Sequence, residues 1–250
     1  MSKVLGKLLE IEHGDPAAIV YSLKEQEVVA SLSEDTIVPL ASTAKLAVGY
    51  VIAKSVESKD ISWNDQVNKI SFNPLEDSEE LYPHLQGRKS LALRDAVEVM
   101  IASHDSVVAE AVVEFIGGWV SVNQRVQADF PDISITEDPR NPDNKGSVKD
   151  LFRLLHSLFV GYQEEPDLFL PVINGLVRQQ DFIETIPSYH LNHMTGGLET
   201  AIIDLGLLGD FRKHPYLYVI AVTNAPDRMK NKRVDEKVLE TIKRLYKWQQ

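Results

Sequence analysis

Ser42 and Lys45 stand three residues apart in Val-Pro-Leu-Ala-Ser-Thr-Ala-Lys-Leu-Ala-Val-Gly-Tyr-Val-Ile-Ala, residues 38–53. No other serine in the chain has a lysine at this spacing. On a helix, residues three apart leave by the same face. A hydroxyl that must act as a nucleophile needs a base, and a lysine that burial has stripped of its charge can be one. The first helical turn adds unpaired backbone N–H groups and the positive end of the dipole, both of which favour a developing alkoxide. Serine is also a common helix N-cap, so the pair could be only a helix-start signal. Leu46, Val48, Tyr50, Val51 and Ile52 make the segment apolar nearly all round. That predicts a buried helix over 42–57, and a polar pair at the head of a buried helix needs a reason.

The elements that must hold this pair can be read along the chain. Two β-prone runs, 17–22 and 27–32, joined by the polar Leu-Lys-Glu-Gln, predict a hairpin. Residues 58–90, with Pro74, Pro83 and Gly87 among acidic residues, read as loops and short turns. Apolar periodicity predicts helices over 92–102, 106–116 (stopped by Gly117-Gly118), 120–129, 148–160 and about 166–180. Residues 131–147, rich in Pro, Asn and Asp, read as a surface loop. Ala201–Leu207 and Tyr216–Val222 look like strands, and Val234, Val238, Ile242 and Leu245 place a last helix over 234–248. Strands therefore sit at both ends and helices in the middle. The expected fold class is α+β: an antiparallel sheet built from both termini and flanked by helices, with an inserted all-helical lobe. In that division residues 1–41 and 186–250 form the sheet lobe and 42–185 the helical lobe, with a ligand cleft between them.

Composition narrows the functions. With 250 residues, 44% of them hydrophobic, the chain can bury a sizeable core. It has no cysteine, which removes thiolate metal sites, disulfides and a cysteine nucleophile. A net charge of −11 without a basic stripe argues against nucleic-acid or anionic-membrane partners. There is no signal-peptide pattern at the N-terminus and no run of about 18 apolar residues. A cytoplasmic location and a small-molecule substrate are the expectations. No cofactor is implied. His190 and His193 are spaced like a metal pair but have no nearby third ligand in the sequence, so no metal is expected either.

The order of elements, with Ser42-Thr43-Ala44-Lys45 on the first long helix, resembles the class A β-lactamases and the penicillin-recognising serine hydrolases around them. Their signatures are Ser-x-x-Lys, Ser-Asp-Asn and Lys-Thr-Gly. The resemblance runs from the hairpin at 17–32 to the final helix. Ser90-Leu91-Ala92-Leu93-Arg94-Asp95-Ala96 and Ile116-Gly117-Gly118 look like the flanks of the second signature, which puts its three positions on His104, Asp105 and Ser106. Met194-Thr195-Gly196 looks like the third signature with methionine in place of lysine.

The resemblance implies roles and also gaps. Lys45 would be general base to Ser42. The N–H groups of Ser42 and Gly197 would form the oxyanion hole. His104 would take over proton relay to the leaving group, because imidazole titrates near neutrality; the alternative is a helix-start histidine bonded to backbone. Asp105, Ser106, Thr195, Gly196 and Gly197 would line the substrate site, although Asp105 could equally be a helix cap. Met194 cannot attract a substrate carboxylate, which leaves His190, His193 or Arg178 to substitute. The family's deacylating glutamate belongs to the loop corresponding to 131–147, where no Glu-x-x-Leu-Asn string occurs. Glu137 or Asp138 could serve, or be a solvated loop acid. The expected function is a β-lactamase-like serine hydrolase that forms an acyl-enzyme on Ser42 from an ester, amide or β-lactam, with weak β-lactamase turnover. The alternative is a catalytically impaired member of the fold that binds a small ligand or partner.

Overall fold

A computed structural model describes residues 3–179, 182–226 and 228–249. The hairpin forms as β1 (Asp15–Ser22) and β2 (Glu27–Leu32). With β7 (Leu191–Leu198), β8 (Ala201–Leu208) and β9 (Tyr216–Thr223) it builds one antiparallel sheet in the order β2-β1-β9-β8-β7. The α+β expectation, with strands contributed from both ends of the chain, is met. The 201–207 and 216–222 runs are apolar without alternation because this sheet is covered on both faces. On one face Ile203, Leu205, Leu207, Leu217 and Val219 join the core of the helices; on the other Ile202, Leu208, Tyr218, Ile220 and Val222 meet the C-terminal helix. A 3₁₀ segment, Lys3–Glu10, also packs on that second face through Leu5 and Leu8.

Between the two parts of the sheet the chain runs through β3 (Ile37–Pro39), a 3₁₀ turn over Ala41–Thr43 and α1 (Ala44–Glu57). Thr43 Oγ1 donates to Leu40 O at 2.6 Å within that turn. Helix α1 is buried all round, as its composition predicts. Residues 58–90 hold more order than expected: β4 (Gln66–Asn68) pairs with β5 (Ser90–Ala92), and α2 (Ser78–Leu81) lies between them. Helices α3 (Leu93–Ala102), α4 (Ser106–Phe115), α5 (Gly118–Asp129), α6 (Val148–Glu164) and α7 (Pro166–Val177) follow. The turn from α4 to α5 passes through Gly117 at φ +106°, a value that suits glycine and explains the stop read there. The end of the helix expected over 166–180 falls partly on residue 180, outside the described residues.

The 131–147 segment is not simply a surface loop. Ile133, Ile135 and Asn144 are buried, and β6 (Lys145–Ser147) pairs with β3. Its polar composition hides this because only a few anchors point inward. The last helix, α8, is Arg233–Gln249. Among the described residues no single helix is long and apolar enough to cross a membrane.

Candidate active site

Ser42 sits in the 3₁₀ turn that feeds α1, and Lys45 lies within the first turn of α1 itself. The residue before the serine, Ala41, has φ +46°, a left-handed conformation that costs a non-glycine residue about 1–3 kcal/mol. Neighbouring contacts hold it there. Leu40 N donates to Asn144 O at 2.9 Å, and Asn144 Nδ2 reaches Ala41 O at 3.4 Å and Pro139 O at 3.2 Å. On the other side β7 packs against the turn. A Cβ on Gly196 would lie 2.7 Å from Leu40 O and 3.1 Å from Ala41 Cβ, so only glycine lets the strand come this near. Gly197, the next residue, is exposed. The serine turn and the Thr195–Gly197 strand, far apart in sequence, thus meet.

Lys45 is only 7% exposed. Burial pushes its pKa down to about 8, with the negative charges of Glu76 and Asp105 pulling the other way. Glu76 stands half-buried in the segment between β4 and α2, its own carboxyl raised by burial while Lys45 draws it back. A lysine in this state is a usable base near neutral pH.

The second-signature positions are organised by Asp105. Its Oδ1 accepts from Val107 N and Val108 N, each at 3.0 Å, and its Oδ2 accepts from Asn73 N at 3.0 Å. With no exposed surface, it is the N-cap of α4 and the anchor of the segment bearing Glu76. These contacts speak for the helix-cap alternative at Asp105. Ser106 accepts from Asn73 Nδ2 at 3.1 Å. His104 has φ +57° and its Nε2 lies 2.6 Å from Gln179 Oε1, whose amide in turn donates to Ile101 O. Glu137 is exposed; it lines, with Ser106 and Asp138, an open cavity of ≈ 510 Å³.

On the strand side, Thr195 Oγ1 donates to Asp204 Oδ2 at 2.6 Å. Asp204 also receives Tyr218 OH at 2.6 Å and faces His193 Nδ1 at 2.9 and 3.0 Å. Each of the three side chains considered in place of the missing lysine has a partner elsewhere. His193 is buried against Asp204, His190 Nδ1 lies 2.7 Å from Tyr246 OH, and Arg178 pairs with Glu98 at 2.7 Å. Sequence reasoning missed the arginine that does come near. Arg228, from the segment between β9 and α8, lies over Gly197, its Nη2 3.1 Å from where a Cβ would stand.

A β-lactamase enzyme family model matches residues 2–247. The chain belongs to that family. Comparison with curated proteins gives no match. Among solved structures, the chain is similar to a β-lactamase from Chitinophaga pinensis at 15% identity, with 99% of this chain and 98% of that one covered and a TM-score of 0.81. It is similar to PBP-A at 16% identity, 98% and 93% coverage and a TM-score of 0.78. A PBP-A mutant, described as an acyl-enzyme complex with penicillin G, matches at 17% identity, with 98% and 94% coverage and the same TM-score. At such identities these likenesses establish the β-lactamase fold and leave the chemistry to be argued from this chain's own residues.

Proposed function

We propose that this member of the β-lactamase family is a serine hydrolase working through an acyl-enzyme on Ser42. The observation that carries the reading is the desolvated Lys45 amine, one turn from a serine presented by a strained residue. Neutral Lys45 accepts the Ser42 hydroxyl proton as Oγ attacks the substrate carbonyl carbon. The N–H groups of Ser42 and Gly197 hold the oxyanion of the tetrahedral intermediate. Its collapse breaks the carbonyl bond to the leaving oxygen or nitrogen, which takes the proton from the Lys45 ammonium, either directly or through His104. Water then cleaves the acyl ester, releasing the acid and restoring the serine. Glu76 is the carboxylate that most raises the Lys45 pKa, tempering the effect of burial on the base. With Glu137 exposed to solvent, the second half-reaction is the slow one and acyl-enzyme accumulates.

A fluorophosphonate probe followed by intact-protein mass spectrometry tests the reading. One adduct is expected on the wild type, mapping to Ser42, and none on Ser42→Ala. Unlabelled wild type would reject the proposal. It would favour the second reading, a ligand-binding descendant of the fold, for which the commitment of the Thr195 hydroxyl to Asp204 speaks.

A further inference from the structure

The polar groups around the oxyanion strand are committed in a way that bears on the substrate. The only hydrogen of the Thr195 hydroxyl goes to Asp204, leaving its oxygen able to accept but not to donate. Asp204 is fixed in turn by Tyr218 and His193, all three within the buried middle of the sheet. Met194 is buried and brings no charge. Arg228 is the cation beside Gly197, but its Nε and Nη2 fork onto Asp235 at 2.7 and 3.1 Å, and its Nη1 donates to Leu198 O. The pair offsets the guanidinium's charge, and with Leu198 it commits three of the five N–H donors. Glu76 and Asp105 lie by Lys45, while Glu137 and Asp138 line the cavity beyond Ser106.

We infer that the site takes carboxylate-free esters or amides that offer an N–H or O–H to the Thr195 oxygen, and that it discriminates against acyl donors carrying an anion there. The inference rests on the serine-hydrolase reading and names its substrate class. Asp204 is a positioning residue that acts through Thr195, and Asp235 is one that acts through Arg228. An anion entering beside Gly197 finds no hydroxyl proton to accept and a cation already matched, so it is desolvated without compensation.

The test uses the wild-type protein and matched acyl donors: penicillin G against its methyl ester, and mono-p-nitrophenyl succinate against its methyl ester. Acylation rates are read by mass spectrometry, with fluorophosphonate labelling of Ser42 in parallel. The neutral member of each reactive pair is expected to acylate about tenfold faster or more. If Ser42 takes the fluorophosphonate but the free acids react as fast as their esters, or no pair reacts, the substrate inference falls and the hydrolase survives. If no probe labels Ser42, both fall. Asp204→Asn, whose amide can donate to Thr195 and turn its hydrogen outward, is expected to lower the ester-to-acid ratio several-fold. Asp235→Asn, nearer the surface, is expected to do the same by releasing Arg228. A purely structural loss would slow both members of a pair equally, so an unchanged ratio in both folded variants overturns the positioning roles.

Discussion

The head of α1 and the β7–β8 strands near it handle polarity in opposite ways. At the head of α1, Lys45 is buried with its pKa pushed to about 8, and Ala41 is held in a conformation it would not choose. Along β7 and β8, Thr195, His193, Tyr218 and Asp204 satisfy one another in a closed network, and Arg228 is matched by Asp235. Strain and desolvation mark groups held ready for reaction, whereas mutual satisfaction marks groups that hold geometry. The head of α1 carries the Ser-x-x-Lys spacing in full, and the strand side has Met194 where the third signature has lysine.

The largest effect is expected at Ser42. Ser42→Ala should abolish covalent labelling, and Lys45→Ala should slow acylation by about 10²- to 10⁴-fold, measured with the fluorophosphonate. Gly196→Ala forces β7 away from Leu40 O and should cost about 10²-fold in acylation rate, because the Gly197 amide proposed to hold the oxyanion moves with the strand. A thermal or urea melt checks that this variant still folds.

Burial of Lys45 also ties stability to pH. Its folded pKa of about 8 lies below the ordinary 10.5, so the unfolded chain holds a proton that the folded chain resists. The penalty is complete below pH 8 and disappears as pH rises toward 10.5. Wild type should therefore gain on Lys45→Met by about 3 kcal/mol across that interval, read from urea titrations. Removing the α4 cap with Asp105→Ala should cost about 1–2 kcal/mol and loosen the Asn73–Glu76 segment, seen as faster amide exchange there. The smallest effect belongs to Glu76→Gln. The charge of Glu76 raises the Lys45 pKa, so its loss should move the acylation–pH profile to lower pH and speed acylation at pH 7 by roughly two- to fivefold.

How much of this was legible beforehand follows from which residues announce themselves. The hairpin, α1, the Gly117 stop and the two apolar strands were readable, because burial on one or both faces writes a pattern several residues long. Ser42 and Lys45 were readable because their spacing is unique in the chain and stands at the head of an all-apolar helix. Asp204 left a signal that went unused: a lone acid inside Ala-Ile-Ile-Asp-Leu-Gly-Leu has to be paired in a buried strand. Glu76 left none, since it shares its segment with Asp77, Glu79 and Glu80 and looks like any solvated acid. Arg228 and Gln179 were beyond reach because their relevance comes from contacts with residues 197 and 104, which no local pattern encodes. The short strands β4, β5 and β6 are three residues each, too brief for periodicity to show.

The fork between Arg228 and Asp235 spans the approach to α8, and the same guanidinium rests on Gly197. The strand edge at Gly197 is therefore tied to α8 through this ion pair. Loss of that pair would leave the guanidinium beside Gly197 without the carboxylate that aligns it, so one contact sets both the seating of α8's first turn and the charge balance at the strand edge.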